Sequence, residues 1–375
     1  MQIRVSIFIC AIIILIQCTA ASCAETDKVR IGICLPVTGS LSAYGQKLHA
    51  GIFAAHAIQP VTTSRIPIEL VVVDTKGNAH ETLEALKKLT VQHNVSAIIL
   101  ETDKDALDAG SEITEKKEIP VVTTAVTASD FRTSKKFLFR LCFSDTYQTE
   151  LIARYAIETL EARKASILID IEKNASTCVA DFFKKKYGSM GGKVVSIAYC
   201  TSQDKDLAFQ ISSLMAAKPN ILFLPVSYPE AFHAVSKAGE LGFSIPMFTI
   251  TEPDPGMFIE AGGARAEGLM FFGQFNLDAP KEKESNFATR FKAERGYEPG
   301  VLETLGADAY FILVDAIQRA QSTRGREIRN SLACTKAFPG LSGPLALGED
   351  GNLRKNAFLF QIKEGRITFL RAVAP

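Results

Sequence analysis

Two runs of short, Val/Ile/Leu-rich segments alternate with helical spacings along this chain, and that alternation limits the fold more than any other feature. In the first series Ile31–Leu35, Ile68–Asp74, Ser96–Leu100 and Ile119–Ala125 read as strands. Leu48, Ile52 and Ala55, then Leu83, Leu86 and Leu89, have the spacing of helix faces, and a third helix runs to about Lys117. In the second series Ser166–Asp170, Lys193–Cys200, Asn220–Val226 and Met247–Ile250 read as strands. Helices run through Phe182, Phe209–Met215 and Ala231–Leu241. Strands that are apolar throughout are buried on both faces. Alternation with helices requires parallel sheets and right-handed crossovers. The expected class is α/β, with two doubly wound parallel-sheet lobes.

The tail breaks the rhythm. Residues 282–296 and 302–321 read as helices, followed by short strands and the turns Glu349–Asn352 and Lys363–Arg366. A helix pair after the second series must pack somewhere, and the first lobe is the expected place. The lobes are then joined by several chain crossings, a multi-strand hinge with a cleft between. The predicted division is 25–145 with 276–345 for an N-terminal lobe and 146–275 with 346–375 for a C-terminal lobe.

The N-terminus predicts export. Arg4 supplies a positive charge, Val5–Ile16 is an apolar core, and Ser22-Cys23-Ala24 precedes Glu25 as a small-x-small cleavage pattern. A signal peptide over 1–24 and a periplasmic or extracytoplasmic mature protein follow. The core is short for a membrane span. A retained anchor, or lipid attachment at Cys18 or Cys23, remains open, although neither cysteine has a good lipobox context. Lys and Arg total 42 against 41 Asp and Glu, a net charge of +1, so no electrostatic case exists for nucleic acid. Cys34, Cys142, Cys178, Cys200 and Cys334 lie outside the signal, too widely spaced for a disulfide framework or a CxxC metal site. A Cys178–Cys200 bridge is allowed in an oxidising compartment but not indicated. His49 and His56 stand seven apart on one helix, not the four of a metal pair, and HExxH, GxSxG and GxxxxGK[ST] are absent. No metal, cofactor or enzymatic activity is expected.

Open α/β sheets hold ligands outside the carboxyl ends of their strands. The opening stretch VRIGICLPVTGSLSAYG puts Tyr44 at such an end. Thr123, Thr124 and Thr127 end the fourth strand, where hydroxyls and free N–H groups make a carboxylate cradle. Asp103 and Asp105 open a helix and read as capping residues. Lys104 between them opposes the helix dipole and is a candidate point charge for a ligand anion. Ser227 and Tyr228 follow a second-series strand, and Glu252 follows another, ready for an ammonium group.

The order and spacing of VRIGICLPVTGSLSAYG, VVVDTKGN, IPVVTTAVTAS, KPNILFLPVSYPEA, GADAYFILVDAI and FPGLSGPLALGEDGNL resemble the periplasmic leucine/isoleucine/valine-binding proteins, type I solute receptors of ABC importers. The resemblance spans Val29 to the end. It implies a type I periplasmic binding protein fold, capture of an amino acid or related small carboxylate between the two lobes of a monomer, and an ABC permease and ATPase as membrane partners. It matches Tyr44 to a first-loop tyrosine, Ala125 and Thr127 to an Ala-x-Thr that holds the ligand carboxylate, and Glu252 to an acid that pairs with the ligand ammonium. The pattern departs at ETDKDA, where Lys104 stands near a usual serine, at Ala175-Ser176 in place of Tyr-Gly, and at Ser227 in place of an aromatic residue beside Tyr228. Two other classes are kept: a sensing subunit partnered with a membrane signalling receptor, and an exported α/β enzyme.

Overall fold

The computed structural model describes residues 28–63, 66–124, 126–129, 135–204, 206–250, 263–275 and 286–374. The first sheet is wholly parallel, in the order β2-β1-β3-β4-β5, from β1 (Val29–Leu35), β2 (Ile68–Asp74), β3 (Ala97–Leu100), β4 (Val121–Thr123) and β5 (Leu138–Arg140). Its helices are α1 (Ser42–Ile58), α2 (Ala79–Lys87), extended by a π-turn over Lys88–Gln92, and α3 (Lys104–Lys117). The second sheet has the parallel core β7-β6-β8-β9-β10: β6 (Lys164–Asp170), β7 (Lys193–Cys200), β8 (Ile221–Leu224), β9 (Met247–Thr249) and β10 (Leu269–Gly273). Helices α4 (Asp145–Glu158), α5 (Asn174–Ser189), α6 (Ala208–Ala216) and α7 (Tyr228–Glu240) accompany it.

Side-chain alternation explains why the central strands are mostly apolar. Ile31, Ile33 and Leu35 enter one core, while Cys34, Ile98 and Leu100 enter another on the opposite face of the same sheet. In β6, Ile167 and Ile169 point to the first core and Leu168 to a third. Local signals set the helix starts. Asn78 accepts the Glu81 N–H at 2.9 Å, Asp103 the Ala106 N–H at 2.8 Å, and Ser144 the Tyr147 N–H at 3.1 Å.

The chain crosses between the sheets after β5, after β10, and again late. Helices α8 (Asn286–Arg295), α9 (Val301–Ala320) and α10 (Gly325–Ala333) return to the first sheet's side, where α9 packs along α1. Three short strands follow, β11 (Phe338–Gly340), β12 (Gly343–Leu347) and β13 (Leu353–Arg354). Strands β14 (Ala357–Lys363) and β15 (Arg366–Val373) then extend the second sheet antiparallel from β10. A buried polar network secures this last crossing. The Asp308 carboxylate of α9 accepts the N–H groups of Leu341 (2.6 Å) and Ser342 (3.0 Å) and the Ser342 hydroxyl (2.5 Å). The Lys355 ammonium donates to the Ser342 carbonyl at 2.7 Å and hydroxyl at 2.8 Å.

The structure adds elements the hydrophobic pattern did not predict, namely β5, α4 and β10, and shortens the expected strand 119–125 to Val121–Thr123. Cys34, Cys142, Cys178, Cys200 and Cys334 are free thiols, so Cys178 and Cys200 are not bridged. The histidines of α1 serve packing. His49 stacks on Phe53 with ring centroids 4.1 Å apart, and His56 Nδ1 meets the Tyr310 hydroxyl at 2.9 Å. That hydroxyl in turn donates to the Gln59 carbonyl at 2.6 Å. Among the described residues no helix is long and apolar enough to cross a membrane, and no group of side chains has the makings of a metal site.

Candidate functional site

In each parallel sheet the strand order reverses once, between β1 and β3 and between β6 and β8. Loops leaving neighbouring strands in opposite directions open a crevice at such a point. The first crevice is bounded by the loop into α1 and the loop into α3. Asp74, ending β2, fixes the α1 loop by accepting the N–H groups of Val37 (3.0 Å), Thr38 (3.3 Å) and Lys76 (2.9 Å) and the Thr38 hydroxyl at 2.5 Å. Burial opposes the charge of Asp74, yet these bonds hold its carboxyl below the usual range. Tyr44 lies in the first turn of α1, half-buried against the core.

On the α3 side, Asp103 caps the helix as expected. Lys104 opens it, and its ammonium bonds Asp108 one turn on, which directs part of its charge along its own helix. Glu101, directly after β3, is only 6% exposed. Its backbone N–H donates to the Cys34 carbonyl at 2.9 Å, and its carboxylate accepts the Thr124 hydroxyl at 2.6 Å. Burial pushes its carboxyl up to about 7, against the bonds from Thr124 and Thr102.

The loop after β4 carries the expected hydroxyl cradle. Thr123 and Thr124 are buried, Thr127 is half-buried, and the Thr123 hydroxyl has no partner among the described residues. Arg140, the last residue of β5, anchors this loop. It is 2% exposed, and one guanidinium nitrogen donates to the carbonyls of Val126 (3.2 Å), Thr127 (3.0 Å) and Ala128 (2.8 Å). Its Nε donates to Asn352 Oδ1 at 2.8 Å, and its backbone N–H to the Gly351 carbonyl at 2.9 Å. The Thr127 carbonyl also accepts the Asp145 N–H at 2.9 Å, so the backbone on both sides of the threonine hydroxyl is fixed.

The second crevice has its own buried acid. Asp170 ends β6 fully buried, 3.0 Å from the Lys173 ammonium, and accepts the Glu172 N–H at 3.0 Å. Its backbone N–H donates to the Ser176 hydroxyl at 3.0 Å. Lys173 also reaches Glu230 of α7 at 3.7 Å, linking the β6 end to the helix after β8. The Cys200 thiol at the end of β7 is pushed up to about 12 by burial and by these acids. Ser227 is the N-cap residue of α7, without a capping bond from its side chain. Tyr228 opens that helix. Its side chain, with Ala125 and Glu252, lies outside the described residues.

Tyr44, Lys104 and Ser227 follow strands that flank the two reversals and Thr127 follows β4, one strand further on, while Glu101, Arg140 and Asp170, which hold these loops, were missed by the sequence reading. Each missed residue is a charged side chain at the last or next position of a strand, which is the signal that was available. A groove of about 800 Å³ opens at the opposite end of the first sheet, where Lys28, Arg30, Ser96 and Arg326 meet. Its cations are largely engaged, Lys28 and Arg30 by Glu69 and Arg326 by Glu118, and it lies at the strands' amino ends.

Comparison with known proteins agrees with this architecture. Residues 28–366 match the periplasmic binding protein family. The chain is 24% identical over 358 residues to the Leu/Ile/Val-binding protein BraC3 of Rhizobium johnstonii, covering 92% of this chain and 95% of the relative. The crystal structure of the leucine-binding protein LivK of Thermotoga maritima superposes with a TM-score of 0.79 at 31% identity, covering 92% of this chain and 99% of that one. The branched-chain amino acid transporter substrate-binding protein LivJ of Streptococcus pneumoniae, solved with isoleucine, gives 0.77 at 23% identity, covering 93% and 100%. With two reversed-order parallel sheets joined by several crossings, the chain belongs to the periplasmic binding proteins, a family of solute-binding proteins rather than enzymes.

Proposed function

We propose that this protein is the extracytoplasmic receptor of an ABC importer and captures an amino acid or similar small carboxylate between its lobes by hinge closure. The observation that carries this reading is the loop after β4. Arg140 and Asp145 hold its carbonyls and leave the Thr127 hydroxyl without a hydrogen bond among the described residues, a preorganised donor at a strand end. The ligand first meets the N-terminal lobe through Tyr44, Ala125, Thr127 and Lys104. Closure then brings Ser227, Tyr228 and Glu252 to its other side. Water leaves as the lobes close, and each charge-assisted bond strengthens in the lower dielectric. The closed form is the state offered to a permease and ATPase pair, and a monomer suffices for that cycle.

A melting-temperature screen against amino acids, small carboxylates and aromatic acids tests the reading, and it is rejected if no solute raises the melting temperature. For a solute found in this way, Thr127→Val is expected to weaken binding about tenfold by removing one hydroxyl bond to a carboxylate. Calorimetry showing unchanged affinity removes Thr127 from the site. Lys104→Ala has a smaller expected effect because Asp108 shares the ammonium. An acidic solute such as glutamate should lose about threefold, within the range of a partly exposed ion pair, and a neutral one less. Equal losses for both would return Lys104 to a helix-surface role.

A further inference from the structure

The cradle expected for a ligand carboxylate is already partly filled by the protein itself. Glu101 follows β3 at the strand-order reversal of the first sheet, next to the loop that carries Thr127. Its carboxylate accepts the hydroxyl of Thr124 at 2.6 Å, and the backbone amides of Thr124 and Thr102 also favour its ionised form. These are the strand-end donors that would otherwise serve an incoming anion. None of the three partners is a cation, so the site gains no positive charge to offset a second carboxylate.

We infer that Glu101 is a specificity-determining residue, and that a solute carboxylate enters this corner only while Glu101 carries a proton. The inference rests on the receptor reading above. Two carboxylates close together in a buried site do not both ionise, and the pair retains one proton between them. Charged and titratable neighbours do not relieve this. Lys104, on α3, is paired with Asp108, beyond the capping Asp103 and the first-turn Asp105. Arg140, on β5, is spread over three carbonyls and Asn352. Cys34 of β1 and Cys142 after β5 are buried thiols whose ionisation is pushed up, chiefly by desolvation, so both stay neutral through this range. Asp145 at the start of α4 adds only further negative charge.

The sign of the pH effect follows from the raised Glu101 carboxyl, about 7. Protonated, it is neutral and able to donate a hydrogen bond to the solute anion. Ionised, it repels that anion. The competent fraction then falls about tenfold between pH 6 and pH 8, and apparent affinity falls with it.

The test is calorimetry on the full mature chain with isoleucine and benzoate, together with any further carboxylate returned by the melting screen. Wild type should bind about tenfold more weakly at pH 8 than at pH 6. At pH 8 it should take up close to one proton per bound solute, measured in two buffers of different ionisation enthalpy. Glu101→Gln should bind equally at both pH values, near the wild-type affinity at pH 6. A flat wild-type profile, zero proton uptake, or a pH slope that persists in Glu101→Gln overturns the role of Glu101 while leaving the receptor reading in place. Binding of no carboxylate by wild type overturns both. A ligand-free measurement stands beside these. Glu101→Gln should melt above wild type at pH 8, where the buried charge is removed, and the gap should close as the pH falls to about 4, where the carboxyl is protonated in the folded state and largely so in the unfolded state. Equal melting at both pH values also rejects the proposal.

Discussion

Arg140→Met is expected to cost the protein roughly 3–5 kcal/mol, since it leaves several buried oxygens without a donor at about 1–3 kcal/mol each. Methionine keeps most of the apolar stem and removes the guanidinium. The carbonyls of Val126 and Ala128 and the Asn352 amide oxygen then lose their donor, while the Thr127 carbonyl keeps the Asp145 N–H. Arg140 is 2% exposed, so water does not readily replace it. The backbone bond from Arg140 to Gly351 survives the substitution, which confines the damage to the side chain's partners. Urea unfolding gives the stability change, and a loss under about 1 kcal/mol would show the loop to be held by other contacts. Because the same side chain fixes the backbone around Thr127, solute affinity should fall along with stability. Thr127→Val, in contrast, should weaken binding and leave the unfolding midpoint nearly unchanged.

Arg140 also shows where the sequence stops being legible. Strands β1, β3, β6, β8 and β9 announce themselves because burial on both faces makes each a mostly apolar run, and the edge strands β2 and β7 keep an apolar pattern while only partly buried. β5 is three residues long and ends in a charge, so a hydrophobic pattern does not mark it. The charge is tolerated because the carbonyls of the loop after β4 and Asn352, more than two hundred positions away in the chain, fold against it. Glu101 follows the same logic. Directly after an apolar strand it reads as a solvated loop acid, and the Thr124 that buries it arrives one strand later. Asp308 lies within the apolar helix GADAYFILVDAI and finds its partners in the turn at Ser342. Interactions within one turn of a helix are legible in sequence, and Asp103 caps α3 as its place predicts. Lys104 has an equally local partner in Asp108, one turn along the same helix. Positions were therefore legible at strand ends, whereas the partner that decides each charged group's role depended on tertiary contacts.

The helix that carries Tyr44 supplies the second large effect. Gly51→Ala in α1 is expected to destabilise by about 3 kcal/mol, at the upper end of ordinary overpacking. A Cβ at Gly51 would lie 1.9 Å from the Glu303 carbonyl oxygen and 2.7 Å from its carbon, both backbone atoms of α9. A Cβ at Gly306 of α9 would lie 2.4 Å from the Leu48 carbonyl oxygen, so the two helices meet backbone to backbone at both positions. Relief requires moving one helix as a body, since no flexible side chain can yield. Intrinsic propensity runs the other way, favouring alanine over glycine inside a helix by about 1 kcal/mol, and the clash must exceed that gain. Gly239 of α7 separates the two terms. It has helical backbone and open space around its missing Cβ, so Gly239→Ala should leave stability unchanged or raise it by up to about 1 kcal/mol. Unfolding of both variants side by side decides the matter: if Gly51→Ala is as harmless as Gly239→Ala, the α1–α9 contact does not hold the helix in place. If the loss is as large as expected, displacement of α1 should also move Tyr44, and solute affinity at fixed pH should drop in the fraction of protein that remains folded.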